Sequence, residues 1–333
     1  MSKIIDLEGF KKISINSKFD EIKLKILKSS KTYFEVEEDI DADLFHEKES
    51  EDSYFIKFTR DNDSFLNKFF GFMSNETFHA TLHLSENFEE VKINFTQGDI
   101  FLEGIELNSF DNKIITGNTS IKNCKIKNNR TKLITGNFYV DNSDMINEEI
   151  SVTTGNIKYR DSKIHNIDCH LITGNLKIDS LNSNFDLIKL KLITGDANLS
   201  ICGKDPIYIT KKLTPYSATL KSNIDLIEKD DVEMLNENRK ISVKAITGNV
   251  KIKGIDQEQY STQKGFEEKE VENVQKNENN INSEDFLTQE EKKILDLVKN
   301  KKISYDFAIE LLSEIEYDKE QAEKFLDDRG ISK

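Results

Sequence analysis

ITGNTSIKNCKIKNNRTKLITGNFYVDNSDMINEEISVTTGNIKYRDSKIHNIDCHLITGNLKI, residues 115–178, carries a Thr-Gly-Asn tripeptide four times. Followed outward in both directions, the same glycine recurs as Gly98, Gly117, Gly136, Gly155, Gly174, Gly195 and Gly248. Its first four spacings are 19 residues and the fifth is 21. A fixed short period is the mark of a repeat architecture, in which each unit buries its apolar side only by stacking on its neighbours.

Aligned on that glycine, the columns assign themselves. Three residues earlier stand Phe95, Ile114, Leu133, Val152, Leu171, Leu192 and Ala245, all apolar. Two and four residues later come Ile100/Leu102, Thr119/Ile121, Phe138/Val140, Ile157/Tyr159, Leu176/Ile178, Ala197/Leu199 and Val250/Ile252, the in-out-in alternation of a half-buried strand. A unit of 19 residues is too short for a βαβ crossover and lacks helical periodicity. One coil of a β-solenoid is the economical solution, with like positions piled on like. The expected fold is mainly β: a right-handed single-stranded β-solenoid of about seven rungs.

The glycine suits a sharp turn, because it alone takes positive φ without a steric penalty. Thr116, Thr135, Thr154, Thr173, Thr194 and Thr247 precede it; Asn118, Asn137, Asn156, Asn175 and Asn249 follow, with Asp99 and Asp196 as substitutes. Stacked carboxamides would form a structural turn ladder that satisfies corner groups. Five residues after the glycine the side chains read Glu103, Lys122, Asp141, Arg160, Asp179, Ser200, Lys253. Their signs alternate over the first five rungs, so opposite charges should meet between layers on a solvated face.

These residues resemble the bacterial putative-adhesin family, a β-strand-repeat domain whose rungs carry the same apolar-x-T-G-N/D-apolar-x-apolar signature, over about residues 10–255. The lead-in ATLHLSENFEEVKINFTQGDIFL, residues 80–102, is similar to the family's approach to its first rung. The resemblance implies an architecture, no catalytic residues, and a link to cell-envelope stress.

Composition narrows the function. The 333 residues are 36% hydrophobic and 32% charged, with no Trp and two Pro, which suits a slender core. A net charge of −14 repels phosphate backbones, and nucleic acid is not expected as a partner. The start, MSKIIDLEGFKK, lacks an apolar signal region, and no run approaches the ~20 apolar residues of a membrane span. Cys124, Cys169 and Cys202 are an odd number without CxxC spacing, which argues against a disulfide framework or a zinc site. The expected location is cytoplasmic.

Outside the repeat, residues 1–90 hold alternating runs, EIKLKIL (21–27), YFEVE (33–37) and SYFIKF (53–58), and read as an N-terminal β cap on the 91–255 solenoid. Phe65, Phe69, Phe70 and Phe72 cluster in SFLNKFFGFM (64–73), either as a membrane- or partner-touching tip or as a plug on the apolar end. Between Gly195 and Gly248 the period fails, and one irregular coil including TPYSATLKS (214–222) is expected to fill the gap. Residues 256–286 read as a flexible polar linker. In 287–333, capping patterns at Thr288/Glu291, Ser304 and Asp318/Gln321 predict a small module of three helices, similar to short SHOCT-like modules. That tail could contact a protein partner or mediate homo-oligomers.

Candidate chemistry is sparse. Catalysis on a β-helix needs an acid and a base clustered in a groove. Asp99 and Asp196 share a column but lie five rungs apart, roughly 24 Å at strand spacing. His79 and His83 share one strand face, as a metal or proton site or as a structural pair. The cysteines align with small or apolar positions and read as core fillers. No motif implies a cofactor or a metal. The expected function is therefore a non-enzymatic scaffold or binding protein, with a glycan-binding or glycan-acting β-helix, or a peripheral membrane protein, as alternatives.

Overall fold

The computed structural model describes residues 2–37, 43–59, 77–86, 88–182, 184–203 and 205–255, together with Leu295, Val298, Tyr305, Ala308, Ile309, Leu326 and Asp327. The chain divides into two compact units, Met1–Thr262 and Gln263–Lys333.

The first unit begins with β1 (Ser2–Asp6), β2 (Lys12–Lys28), β3 (Tyr33–Glu37), β4 (Asp43–Lys48), β5 (Ser53–Thr59) and β6 (Thr77–Leu84). A single long strand, β7 (Glu90–Glu103), leads into the regular layers. These alternate long and short strands: β8 (Glu106–Thr116), β9 (Thr119–Lys122), β10 (Lys125–Thr135), β11 (Phe138–Asp141), β12 (Asp144–Thr154), β13 (Ile157–Arg160), β14 (Lys163–Thr173), β15 (Leu176–Leu181), β16 (Leu187–Thr194) and β17 (Ala197–Cys202). Long strands pair in parallel with long and short with short, each residue facing its equivalent one repeat away, as in Leu133↔Val152 and Val140↔Tyr159. The winding inferred from the tripeptide is thus the backbone's own register. All three apolar columns named above lie inside, from Phe95 at 1% exposure to Ala245 at 3%.

Each coil bends at three places. The first is the repeated glycine, where φ runs from 156° at Gly98 to 121° at Gly248. The glycine N–H donates to the next layer's threonine carbonyl, 2.9 Å for both Gly117 to Thr135 and Gly136 to Thr154. A Cβ built on Gly136 would overlap the carbonyl oxygen of Gly117, and the same collision repeats up the file. The second bend is a column in the left-handed region, Gly104 (φ 69°), Asn123 (53°), Asn142 (44°) and Asp161 (50°). Asn and Asp tolerate that conformation better than other side chains do. The third lies inside the long strands, where consecutive residues such as Lys127 and Asn128 both face outward between buried Ile126 and Asn129.

Both ends depart from chain order. β2 pairs in parallel with β7 on one side and with β5 and β6 on the other, so it is a layer between two layers. Among the described residues of 1–90, β4 pairs antiparallel with β5, and β3 with both β6 and β1. At the far end, β18 (Ile207–Leu213), β19 (Ala218–Ser222) and β20 (Leu226–Glu228) are passed before β21 (Lys240–Ile255). β21 then returns between β16/β17 and β18/β19. The irregular coil expected in the gap exists, but it lies beyond β21. Inserting β21 sets Thr247 opposite Thr194 and keeps the glycine file unbroken.

In the second unit, the seven described residues are helical, and Leu295, Val298, Ala308, Ile309 and Leu326 are buried. Tyr305 Oη donates to Asp327 Oδ1 at 2.9 Å. No complete helix is described there, so the expected three-helix module at 287–333 is not seen among the described residues, and its other residues, the 256–286 stretch and the Phe65, Phe69, Phe70, Phe72 cluster lie outside them.

Two glycine substitutions separate steric closeness from backbone strain. Gly136→Ala meets both a positive φ and a neighbouring carbonyl, and is expected to cost more than about 3 kcal/mol or to prevent folding. Gly104→Asn enters open space in a column that already holds left-handed Asn residues. It should change stability by less than about 1 kcal/mol, read from urea midpoints.

Candidate functional site

The turn-ladder residues form one continuous chain of hydrogen bonds. Asn118 donates through its backbone N–H and Nδ2 to Asp99 Oδ1 at 2.7 and 3.0 Å. Asn137, Asn156 and Asn175 repeat that two-pronged contact on the Oδ1 below, at 2.9 to 3.3 Å. Asp196 N–H continues the line to Asn175 Oδ1 at 3.2 Å, and Asn249 closes it on Asp196 Oδ1 at 2.7 and 3.0 Å. The ladder spends its donors and acceptors internally, so its role is structural. The charged column five residues after the glycine also pairs between layers: Arg160 grips Asp141 through two contacts at 2.8 and 2.7 Å and holds its carboxyl below the usual carboxylate range.

The other singled-out groups are likewise occupied. His83 stacks on Tyr33 with ring centroids 4.1 Å apart and lies 3.6 Å from Glu35, whereas His79 is exposed. Among the described residues no cluster of three metal-ligating side chains occurs. All three cysteines are free and buried. Burial pushes the Cys169 thiol up to about 12 and raises Cys124 as well, which makes both poor nucleophiles.

A groove of about 450 Å³ runs along the third bend. Its floor is a second carboxamide ladder, Asn147 Nδ2 to Asn128 Oδ1 at 3.1 Å and Asn166 Nδ2 to Asn147 Oδ1 at 3.3 Å. One side carries Asp111, Arg130, Glu149, Asp168 and Lys189, with Arg130 Nε bound to Glu149 Oε2 at 2.9 Å. Directly beneath lies Glu148, only 4% exposed. Tyr159 Oη donates to its Oε2 at 2.6 Å and Asn129 Nδ2 at 3.1 Å, while Oε1 makes no hydrogen bond within the protein. Desolvation raises the carboxyl to about 8, against the opposing pull of those two donors. Burial therefore favours the neutral form of Glu148. Sequence reasoning missed it, although a signal existed. Its column reads Val91, Phe110, Asn129, Glu148, Ile167, Ile188, Ile241, apolar except at two adjacent layers.

A family model described as Toastrack DUF4097 matches residues 10–218, more than half of the chain. The chain belongs to that family. Among solved structures, this Toastrack chain is similar to a putative adhesin from Bacteroides fragilis NCTC 9343 (12% identity, TM-score 0.44, covering 77% of this chain and 96% of that one). It is also similar to a putative cell adhesion protein from Clostridium sporogenes ATCC 15579 (14%, 0.26, 77% and 99%) and to a putative adhesin from Parabacteroides distasonis ATCC 8503 (13%, 0.33, 77% and 96%). No curated protein matches the chain.

The raised acid gives this Toastrack domain a pH dependence of definite sign. In the unfolded chain Glu148 ionises near its ordinary 4.5, whereas in the fold it keeps its proton to about 8. Its contribution to stability is complete below the lower value and declines as pH climbs toward the higher one, by an amount on the order of 5 kcal/mol at most. Melting curves across that window should show the decline, and Glu148→Gln, neutral and of similar shape, should flatten it. Asn137→Ala, which leaves both Asn156 donors without their acceptor, is expected to cost about 1–3 kcal/mol at any pH.

Proposed function

We propose that this chain is a non-enzymatic solenoid that binds a protein partner along its outer surface. The observation that supports it is the groove at the third bend. Its Asn floor and mixed charges offer hydrogen bonds in fixed register to an extended polar chain lying along the stack. Two of its acids lie beside cations, Glu149 with Arg130 at 2.9 Å and Asp168 with Lys191 at 3.7 Å, and the strongly shifted acid, Glu148, is only 4% exposed. This arrangement suits recognition rather than bond cleavage.

Within the proposal, the SHOCT-like tail at 287–333 recruits a second partner or mediates self-association. A cytoplasmic location is part of the same reading, supported by three free, buried cysteines. A cell-envelope stress role extends the family likeness. A second reading, glycan binding, draws on the same groove, since carboxamides and carboxylates also bind sugar hydroxyls.

Capture from native-host extract tests this directly, with the full chain, the chain lacking 287–333 and Asn147→Arg as baits. A partner retained by the full chain and lost with Asn147→Arg is the expected result. Turnover of cell-wall polysaccharide, abolished by Glu149→Gln or Asp168→Asn, would overturn the non-enzymatic reading.

A further inference from the structure

Beside the glycine file runs a feature that the ladder does not explain. Ile115, Ile134, Ile172, Ile193 and Ile246, each two residues before a glycine, are 42% to 52% exposed. They form one apolar line along the outside of the corner, interrupted by Thr153, over roughly 24 Å at strand spacing. Scattered exposed apolar residues are ordinary, but a file of them is not.

The charges on either side deepen the anomaly. On the long-strand face, Lys113 lies opposite Lys132, and beyond Ser151 and His170, Lys191 lies opposite Lys244. On the short-strand face, Lys158 lies opposite Lys177, and Lys251 follows Asn198. Like charges directly opposite each other destabilise a sheet. Elsewhere the same layers avoid this, as the Glu103–Lys122 and Asp141–Arg160 contacts show. Among the described residues, Lys113, Lys132, Lys158, Lys244 and Lys251 have no ion-pair partner, although the chain carries a net charge of −14.

We propose that this corner is a lipid-facing ridge that lies on an anionic bilayer surface, its isoleucines entering the headgroup boundary and its two lysine files meeting lipid phosphates. A convex corner with cations on both slopes complements a planar anionic surface better than it fits an extended peptide, which needs a groove. Shallow apolar insertion combined with basic residues is the usual chemistry of reversible interfacial binding. A surface of that kind would neutralise the stacked lysines.

The test is co-sedimentation of the full chain with vesicles of phosphatidylcholine alone and of phosphatidylcholine mixed with phosphatidylglycerol. Pelleting is expected only with the mixed vesicles and should weaken as salt is added. The double variants Ile134→Ser/Ile172→Ser and Lys132→Glu/Lys244→Glu should each weaken it by about tenfold, with the melting transition unchanged. Equal pelleting on neutral vesicles, no pelleting, or binding unchanged in both variants would overturn the proposal. So would binding lost only when Phe69 and Phe70 become Ser.

Discussion

At each TGN corner, the carbonyl oxygen of one layer occupies the space where a side chain of the next layer would begin. Backbone therefore packs on backbone along one edge of the stack, and only glycine can supply the missing atom and the positive φ together. Every other column depends on that contact. It brings successive corners into line, which aligns the carboxamides into a hydrogen-bonded ladder and holds the buried strands in parallel register. A shift of one residue would turn the core outward and break the ladder at the same time.

The interior tolerates one exception to its apolar rule. Asn129, Glu148 and Tyr159 join through the Glu148 carboxyl, whose protonated form is favoured because burial desolvates the charged one. Neutrality lowers the cost of this burial, since an ionised carboxylate there would need a paired cation. The cluster lies under the groove, so groove shape and core protonation share the same coils.

The exterior divides by charge order. Alternating files pair internally and present little net field, while the two lysine files beside the isoleucine line accumulate one sign. In a solenoid any surface pattern is repeated at each layer, so a preference that would be weak on one strand becomes a line tens of ångströms long.

Sequence alone determined the winding, because a glycine required at each turn and three apolar columns leave their period in the residue order. The same columns made the ladder and the alternating charge pairs legible. Tertiary structure alone decided what the period does not encode. β2 and β21 enter between layers that are distant in sequence, since strand pairing depends on register and apolar match rather than on chain order. Glu148 became visible only when contact between layers brought Asn129 and Tyr159 to its carboxyl, and the isoleucine line only when burial distinguished the column two residues before each glycine from the one three before. Both distinctions depend on where a side chain points once the coil has closed, a property that no single stretch of residues possesses.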